Sequence, residues 1–379
     1  MTKLDFPITG EAITPQWLTS ELRARGLLSN GEIEHIELAP LSDPGQTADL
    51  FRLTPRYVGD ASDAPATLVA KVPTTHEGAK ALSLAMQAYE KEIRFYRHFR
   101  QESALPIPTC YAAEIDESGE RFVLILEDLG NARNGALFSN PITDIERGLT
   151  GLAALHARFW GKQELLELPW VQDKSAEDWV ELGAVVFEQV VAGVRGTYEH
   201  CLSPNSWSVV EHYRDNYRSM KVRPRDAETL VHSDAHAKQM FFPSEKLDRF
   251  VIFDWQAPSY GIAAHDVSRL LVLGVTTDER RQHEDALLAH YLDALRSHGV
   301  TDLNAERLRY GVRLTTLNNL FINMLAALQT DTEILGAQAR AEGTTWEEGL
   351  FGRLGAAIDD WDTRAVIDQM VRESAEDAG

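Results

Sequence analysis

Two segments of the sequence decide the fold, because each places an aspartate beside an apolar run. Residues 231–239 read Val-His-Ser-Asp-Ala-His-Ala-Lys-Gln, and residues 251–256 read Val-Ile-Phe-Asp-Trp-Gln. The apolar runs are typical of short strands, so the pattern predicts that Asp234 and Asp254 lie together at the ends of a hairpin.

This pattern suits metal-assisted phosphoryl transfer. Asp234, with His232 beside it, would be the catalytic carboxylate that accepts the proton of an attacking hydroxyl. Asp254 would hold Mg²⁺ on the phosphates of ATP, and the amide of Gln239 would complete the metal shell. Taken alone, His-x-Asp is a weak pattern that is better explained by a buried structural histidine or by a capping aspartate.

The first third of the chain supports the same chemistry independently. Residues 68–72 read Leu-Val-Ala-Lys-Val, so Lys71 ends an apolar strand, and the helical stretch that follows carries Glu90 and Glu92. A helix carboxylate can fix a strand lysine against the α- and β-phosphates of a nucleotide, and Glu92 is the residue predicted for this role.

A turn upstream of this strand is a weaker candidate for phosphate binding. Gly45, Gln46 and Thr47 lie where a strand-turn-strand unit can place backbone amides over phosphates. A single glycine at a turn also has an ordinary conformational explanation.

Hydrophobic periodicity predicts an α+β protein with two lobes. Predicted strands cover 50–53, 67–72, 109–115 and 121–126, with one helix over 78–101. Long helical stretches follow at 142–160, 176–200, 207–222, 278–298 and 305–330. We therefore expect a small lobe over 1–127, with an antiparallel sheet and one helix, and a larger helical lobe over 128–379.

Composition excludes several classes of protein. The 379 residues carry 58 acidic and 37 basic side chains, a net charge of −21 that disfavours nucleic acid as a partner. No run approaches the roughly 18 apolar residues of a membrane span, and no secretory signal is visible. Two cysteines, Cys110 and Cys201, suit a reducing environment, so a cytoplasmic location is expected. The oligomeric state stays open.

Further motifs complete a resemblance to a known family. Residues 124–130 read Leu-Ile-Leu-Glu-Asp-Leu-Gly, and residues 153–160 read Ala-Ala-Leu-His-Ala-Arg-Phe-Trp. With the strand lysine and the two aspartate segments, this order resembles the aminoglycoside phosphotransferase and choline kinase superfamily, and within it the ecdysteroid kinase-like branch. The resemblance spans about residues 40 to 275 and implies the bilobal protein-kinase-like fold.

The resemblance also implies roles that the residues alone do not indicate. The backbone of Glu127 and Leu129 would hydrogen-bond adenine, and Asp266 would be a structural aspartate that braces the catalytic loop. The implied activity is ATP-dependent phosphorylation of a hydroxyl group on a small molecule, such as an aminoglycoside, an amino alcohol, a sterol or another alcohol.

The chain departs from the branch at three positions. Ser233 replaces a glycine, Lys238 replaces a glycine, and Gln239 replaces the asparagine that binds metal. Glutamine keeps the carbonyl oxygen but adds a methylene, and octahedral Mg²⁺ tolerates displaced ligands poorly. A weakened kinase or a nucleotide-binding pseudokinase is therefore an alternative.

Two other classes of enzyme can be compared with this prediction. A protein kinase needs a long activation segment after its metal aspartate, and the interval between Asp254 and Asp266 leaves no room for one. A metal-dependent hydrolase is the less favoured alternative, in which His232, Asp234, His236, Asp254 and His265 would ligate Zn²⁺ or Mn²⁺. That alternative leaves the first third of the chain unexplained.

Overall fold

The computed structural model describes residues 5–41, 47–99, 101–102, 105–130, 132–174, 176–221 and 227–377, without the side chains of 220–221 and 374–377. The chain divides into two compact units. The first contains Met1–Ala132 and Ile252–Pro258, and the second contains Arg133–Val251 and Ser259–Gly379. The assignment of separate nucleotide and acceptor functions to two lobes stays a prediction.

The first unit is built on a five-stranded antiparallel sheet in the order β1-β2-β3-β5-β4. Its strands are β1 (Glu32–Pro40), β2 (Ala48–Val58), β3 (Leu68–Pro73), β4 (Cys110–Ile115) and β5 (Phe122–Glu127). Alternating side chains of β3, including Leu68, Ala70 and Val72, contribute to one apolar core. Burial of this face stabilises the central strand that carries Lys71.

Three helices accompany this sheet among the described residues, where the periodicity predicted one. They are α1 (Pro15–Ala24), α2 (Glu77–Ala85) and α3 (Ala88–Phe99). The predicted helix over 78–101 is interrupted at Gln87, which adopts a left-handed φ of 54°. The Lys91 ammonium donates to the Met86 carbonyl at 3.0 Å, a bond that satisfies this carbonyl at the interruption.

The second unit is mainly helical. Its helices are α4 (Ile142–Phe159), α5 (Glu177–Tyr198), α6 (Pro204–Asp215), α7 (Tyr217–Lys221), α8 (Ala264–Gly274), α9 (Thr277–Ser297), α10 (Ala305–Gln329), α11 (Thr332–Ala341), α12 (Arg353–Asp360) and α13 (Thr363–Asp377). Every residue of α8 is buried, including Asp266 and Arg269. Buried charges at this position need partners, which the candidate site supplies.

The described residues also form six short strands, in two three-stranded sheets. They are β6 (Arg133–Asn134), β7 (Gln172–Asp173), β8 (Glu228–Val231), β9 (Met240–Phe242), β10 (Val251–Ile252) and β11 (Ser259–Ile262). The sheet orders are β10-β9-β6 and β7-β11-β8. The predicted hairpin between the two aspartate segments was wrong, because β8 pairs with β11, whereas β10 neighbours β9 from the intervening loop.

None of the described helices has both the length and the apolar character required to cross a membrane.

Candidate functional site

Lys71 of the first unit forms ion pairs with two carboxylates. It occupies β3, opposite Leu50 of β2 and Leu124 of β5, so its backbone is held on both sides. Its ammonium lies 2.7 Å from a carboxylate oxygen of Glu92 and 2.7 Å from Oδ1 of Asp254. The structure therefore brings together the predicted lysine, helix glutamate and metal aspartate. Glu90, the other glutamate considered, pairs with Arg94 instead.

The tryptophan of the Asp-Trp-Gln motif explains how Asp254 reaches this position. Trp255 is fully buried and stacks on Phe95 of α3, with ring centroids 3.9 Å apart and planes 8° from parallel. Its indole donates to the Ile252 carbonyl at 3.2 Å. Phe95 follows Glu92 by about one helical turn, so α3 supports both the glutamate and the segment that carries Asp254. Asp254 itself adopts a left-handed φ of 67°.

The Lys71, Glu92 and Asp254 side chains form a set with more negative than positive charge. Burial lowers the pKa of Lys71, but Asp254 and Glu92 outweigh burial, so the net direction is upward and the lysine stays charged. Burial raises the pKa of Glu92, against the attraction of Lys71. One cation does not fully compensate two carboxylates in this buried setting.

The start of β2 is held by hydrogen bonds from its own unit. Gly45 and Gln46, predicted to bind phosphate, lie outside the described residues. Thr47 is described: its carbonyl accepts from the Tyr89 hydroxyl at 2.6 Å, and its hydroxyl accepts from the Gln256 amide at 3.1 Å. Gln256 therefore links the Asp-Trp-Gln motif to the end of the predicted phosphate turn.

The Glu-Asp-Leu-Gly segment is anchored by a partly buried ion pair. The Arg52 guanidinium donates to Asp128 at 2.6 Å, and a Cβ added to Gly130 would meet that guanidinium at 2.0 Å. Only glycine fits there without displacing the arginine. The Glu127 amide donates to the Thr109 carbonyl at 2.8 Å, and the Leu129 carbonyl accepts from the Ala132 amide at 2.7 Å. These bonds fix the backbone that was predicted to contact adenine.

In the second unit, Asp266 holds the backbone of the segment after β8. Its buried carboxylate accepts from the amides of His232 at 2.7 Å and Ser233 at 2.9 Å. His156 of α4 lies 3.3 Å from the same carboxylate and 2.7 Å from the Tyr291 hydroxyl. Burial alone would raise the pKa of Asp266, but the hydrogen bond and charge of His156 outweigh it and lower the pKa to about 2.

The Asp234 carboxylate is bound by Arg269 of α8. Nε and Nη2 of the guanidinium lie 2.7 and 2.6 Å from Oδ1. Burial opposes ionisation, but Arg269, followed by His236 and His232, lowers the pKa of Asp234 to about 2. Asp234 is thus ionised throughout the neutral range.

Ser233 has a backbone conformation that explains the glycine usual at this position. Its φ of 69° lies in the left-handed region, which glycine adopts without steric cost. The serine hydroxyl is buried, where it accepts from the Lys174 ammonium at 3.0 Å and lies 2.8 Å from the Ser259 hydroxyl. These two contacts compensate for the strain that the side chain introduces.

The remaining predicted residues of this segment occupy different environments. His232 is fully buried, and its Nδ1 accepts from the Asp234 amide at 3.3 Å. Gln239 is half-buried at the end of the 3₁₀ helix Ala237–Gln239, and its backbone N–H donates to the His236 carbonyl at 2.9 Å. Lys238 is exposed and donates to Gln338 at 2.9 Å.

The histidines do not assemble into a zinc-type cluster. Within the described part of the chain, no group of three or more His, Cys, Asp or Glu side chains is arranged to hold a metal ion. His265 lies 3.2 Å from the Ser233 carbonyl, and burial lowers its pKa to about 3, so the imidazole is neutral. Its contact supports the backbone of the segment that carries Asp234.

Sequence reasoning missed four residues of these sets: Arg52, Lys174, Gln256 and Arg269. One signal was present, because Arg269 follows Asp266 by three positions on a helix and therefore lies on the same face. Lys174 lies far from Ser233 in the chain, so no local pattern joins them.

The comparisons with known proteins agree with this fold. The model of the ecdysteroid kinase-like family matches residues 45–304. A putative aminoglycoside phosphotransferase from Ralstonia eutropha JMP134 is structurally similar, with a TM-score of 0.52 and 15% identity, covering 92% of this chain and 97% of the other. Choline kinase from Cryptosporidium parvum Iowa II has a TM-score of 0.51 and 11% identity, with 89% and 92% covered. No curated protein matches the sequence significantly.

The two solved structures share the bilobal α+β fold that the sequence predicted. The family model matches more than half of the chain. The chain therefore belongs to the ecdysteroid kinase-like family, within the protein-kinase-like superfamily, and is a small-molecule kinase that acts on hydroxyl groups.

Proposed function

We propose that the protein transfers the γ-phosphoryl group of ATP to a hydroxyl group of a small-molecule alcohol, with Mg²⁺ as cofactor. The observation that supports this most directly is the set formed by the buried Lys71 and Glu92 with the half-buried Asp254, in which both carboxylates lie 2.7 Å from one ammonium. Such a lysine can bind the α- and β-phosphates while Glu92 keeps it in position.

The donor chemistry of the chain fits Mg²⁺. This ion prefers oxygen ligands and commonly uses one or two carboxylates together with substrate phosphates. Asp254 supplies a carboxylate whose side chain is 26% exposed, and Gln239 would supply an amide oxygen. When bound, Mg²⁺ neutralises charge on the β- and γ-phosphates. Lys71, paired with both carboxylates, would hold the nucleotide that carries these phosphates.

Asp234 would act on the acceptor. Its ionised carboxylate would orient the hydroxyl by hydrogen bonding and take its proton late in the transfer, because a carboxyl group with a pKa of about 2 is a weak base. His232 is fully buried, so we propose that it positions the Asp234 backbone through Nδ1. Asp266 would brace the same loop through the amides of His232 and Ser233.

The remaining nucleotide contacts would come from the first unit. The Glu127 carbonyl and the Leu129 amide would bind the amino group and ring nitrogen of adenine, on a backbone anchored by the Arg52–Asp128 ion pair. Gly45, Gln46 and Thr47 would contribute to phosphate binding, and the link from Gln256 to Thr47 would hold the end of that turn.

Nucleotide binding followed by an acceptor screen tests the proposal. Thermal unfolding is measured with ATP, ADP and GTP, each with and without Mg²⁺, because a ligand at 100 times its Kd stabilises a fold by about 2.7 kcal/mol. ATP consumption is then screened over amino sugars, amino alcohols, sterols and phenolic alcohols. We expect Mg²⁺-dependent stabilisation by ATP and turnover with at least one alcohol. Tightly bound stoichiometric zinc without nucleotide binding would instead support the hydrolase alternative.

A further inference from the structure

Arg269 and Asp266 lie about one turn apart on the buried helix α8 and act on the same loop. Asp266 accepts hydrogen bonds from the loop's backbone, whereas Arg269 contacts the side chain of Asp234. One helix thus fixes both the path of the loop and the orientation of its carboxylate.

The guanidinium is itself held from the opposite side. Its Nη1 lies 3.3 Å from Oδ1 of Asn323 on α10, and the Asn323 amide donates to the Leu350 carbonyl at 2.8 Å. Only 6% of the Arg269 side chain is exposed. Because a planar guanidinium with contacts on several nitrogens has little freedom to rotate, Asn323 determines how Arg269 faces Asp234.

The two oxygens of Asp234 have different environments. Both Arg269 bonds end on Oδ1. Oδ2 makes no hydrogen bond within the described ranges, and Nε2 of the His236 imidazole lies 3.6 Å from it. The Asp234 side chain is 35% exposed, although its arginine partner is buried. One oxygen is therefore held and the other is left to interact with a ligand.

We propose that Arg269 is a positioning residue for phosphoryl transfer, which binds Oδ1 of Asp234 so that Oδ2 is directed to the acceptor hydroxyl. This inference rests on the proposed function of Asp234. In the step, the acceptor oxygen bonds to the γ-phosphorus while the bond from phosphorus to the ADP oxygen breaks. The hydroxyl proton passes to Oδ2 and is then released to solvent.

The charges around Asp234 make the carboxyl group itself a probe of this contact. Arg269 comes from α8, and His232 and His236 come from the loop that carries the aspartate. Of these three, only the guanidinium stays charged over the whole accessible pH range. Removing Arg269 is therefore expected to move the pKa of Asp234 upward, whereas a change elsewhere on α8 is not.

Four variants separate positioning from general packing. Arg269→Gln removes the charge, and Arg269→Lys keeps the charge without the two-nitrogen contact. Asn323→Ala leaves Asp234 untouched but releases the guanidinium. Ser268→Ala is the matched control, because its hydroxyl also joins α8 to α10, through Thr316 at 3.0 Å, without contacting Asp234.

Two measurements are made on the full-length chain. Carboxyl carbons of aspartate are labelled with ¹³C and titrated by NMR, with Asp234→Asn identifying the signal. Turnover is measured as Mg²⁺-dependent ATP hydrolysis with water as acceptor, and with any alcohol found in the screen. For Arg269→Gln we expect an upward shift of the Asp234 titration and a loss of turnover of about 100-fold, the size expected from misplacing a reacting group.

The other variants grade the effect. Arg269→Lys should keep the titration near that of the wild type and recover part of the turnover, Asn323→Ala should lower turnover less, and Ser268→Ala should change neither quantity.

An unchanged titration and wild-type turnover in Arg269→Gln would overturn the inference. If Asp234→Ala also retained turnover, the proposed function itself would fail. If Asp234→Ala were inactive while Arg269→Gln behaved as wild type, only the role of Arg269 would fail.

Discussion

The charged residues of the two units differ in how their charges are balanced. In the first unit, Lys71 serves two carboxylates, and the raised pKa of Glu92 reflects burial that one cation does not offset. In the second unit, Asp234 has Arg269, and Asp266 has two backbone amides and His156, so the pKa of each aspartate is lowered to about 2. The first set is suited to bind a further cation. In the second set both aspartates already have partners, and these partners hold the Asp234 carboxylate in a fixed orientation.

Among the replacements that test this comparison, Asp254→Asn in the first set should have the largest effect. The variant keeps the Lys71–Glu92 pair but loses the negative charge proposed to hold Mg²⁺. We expect turnover to fall by about 1,000-fold, as when one preorganised electrostatic partner is removed from an active site. Mg²⁺ should also lose its effect on ATP binding, measured by calorimetry. Asp302→Asn, at an exposed partner of Trp160, is the matched control. Mg²⁺-dependent binding of wild-type strength would contradict the role of Asp254.

Replacing Asp266 by Asn tests the set of charged residues in the second unit. An amide has one acceptor oxygen instead of two, so one of the amides of His232 and Ser233 would face a donor. Leaving a buried group of a charged network without its partner costs about 3 kcal/mol, which urea unfolding can measure. Asp293→Asn, at an exposed partner of Arg296, should leave the free energy of unfolding nearly unchanged. Equal stability of both variants would show that the loop does not depend on Asp266.

The pH dependence of stability provides a third test, through His265. Its folded pKa of about 3 lies below the ordinary value of 6.5, so the unfolded chain binds a proton that the folded chain does not. The contribution of the neutral His265 to the free energy of unfolding is fully present above pH 6.5. It falls by about 1.4 kcal/mol per pH unit as the pH decreases toward 3. His265→Gln should weaken the dependence between pH 6.5 and 4 in urea unfolding. His35→Gln, on the exposed side of β1, should preserve it, and identical slopes in both variants would refute the assignment.

The smallest effect is expected at Gln239. Asparagine restores the shorter amide that the family uses, and both side chains end in the same carbonyl oxygen. We expect ATP turnover to change by less than about tenfold, or 1.4 kcal/mol in the activation barrier. A much larger gain in Gln239→Asn would favour the pseudokinase alternative, because it would show that the glutamine had impaired metal binding.

Local patterns predicted the parts of the structure that depend on neighbouring residues. The alternation around Lys71 indicated a strand, and the spacing around Glu92 indicated a helix, which is why the pair could be anticipated. The interruption at Gln87 was missed because there is no proline or glycine to mark it. The strand β1 and the helix α1 were also not predicted.

Contacts between distant residues account for the rest. Arg269 binds Asp234, from which strands β9, β10 and β11 separate it in the sequence. Lys174 binds Ser233, from which helices α5, α6 and α7 separate it. The strand β8 pairs with β11 and not with β10, and short hydrophobic runs do not by themselves specify which of them pair. Pairing and side-chain partners of this kind are set by tertiary packing.

The central claim is that Asp234 serves the transfer step and that nucleotide binding does not depend on it. The most direct measurement is the rate of phosphoryl transfer by Asp234→Ala at saturating ATP and Mg²⁺, with ATP affinity measured on the same sample. We predict a loss of at least about 1,000-fold in rate, because the acceptor hydroxyl is no longer oriented, and an ATP affinity close to that of the wild type. Transfer at the wild-type rate would contradict the account.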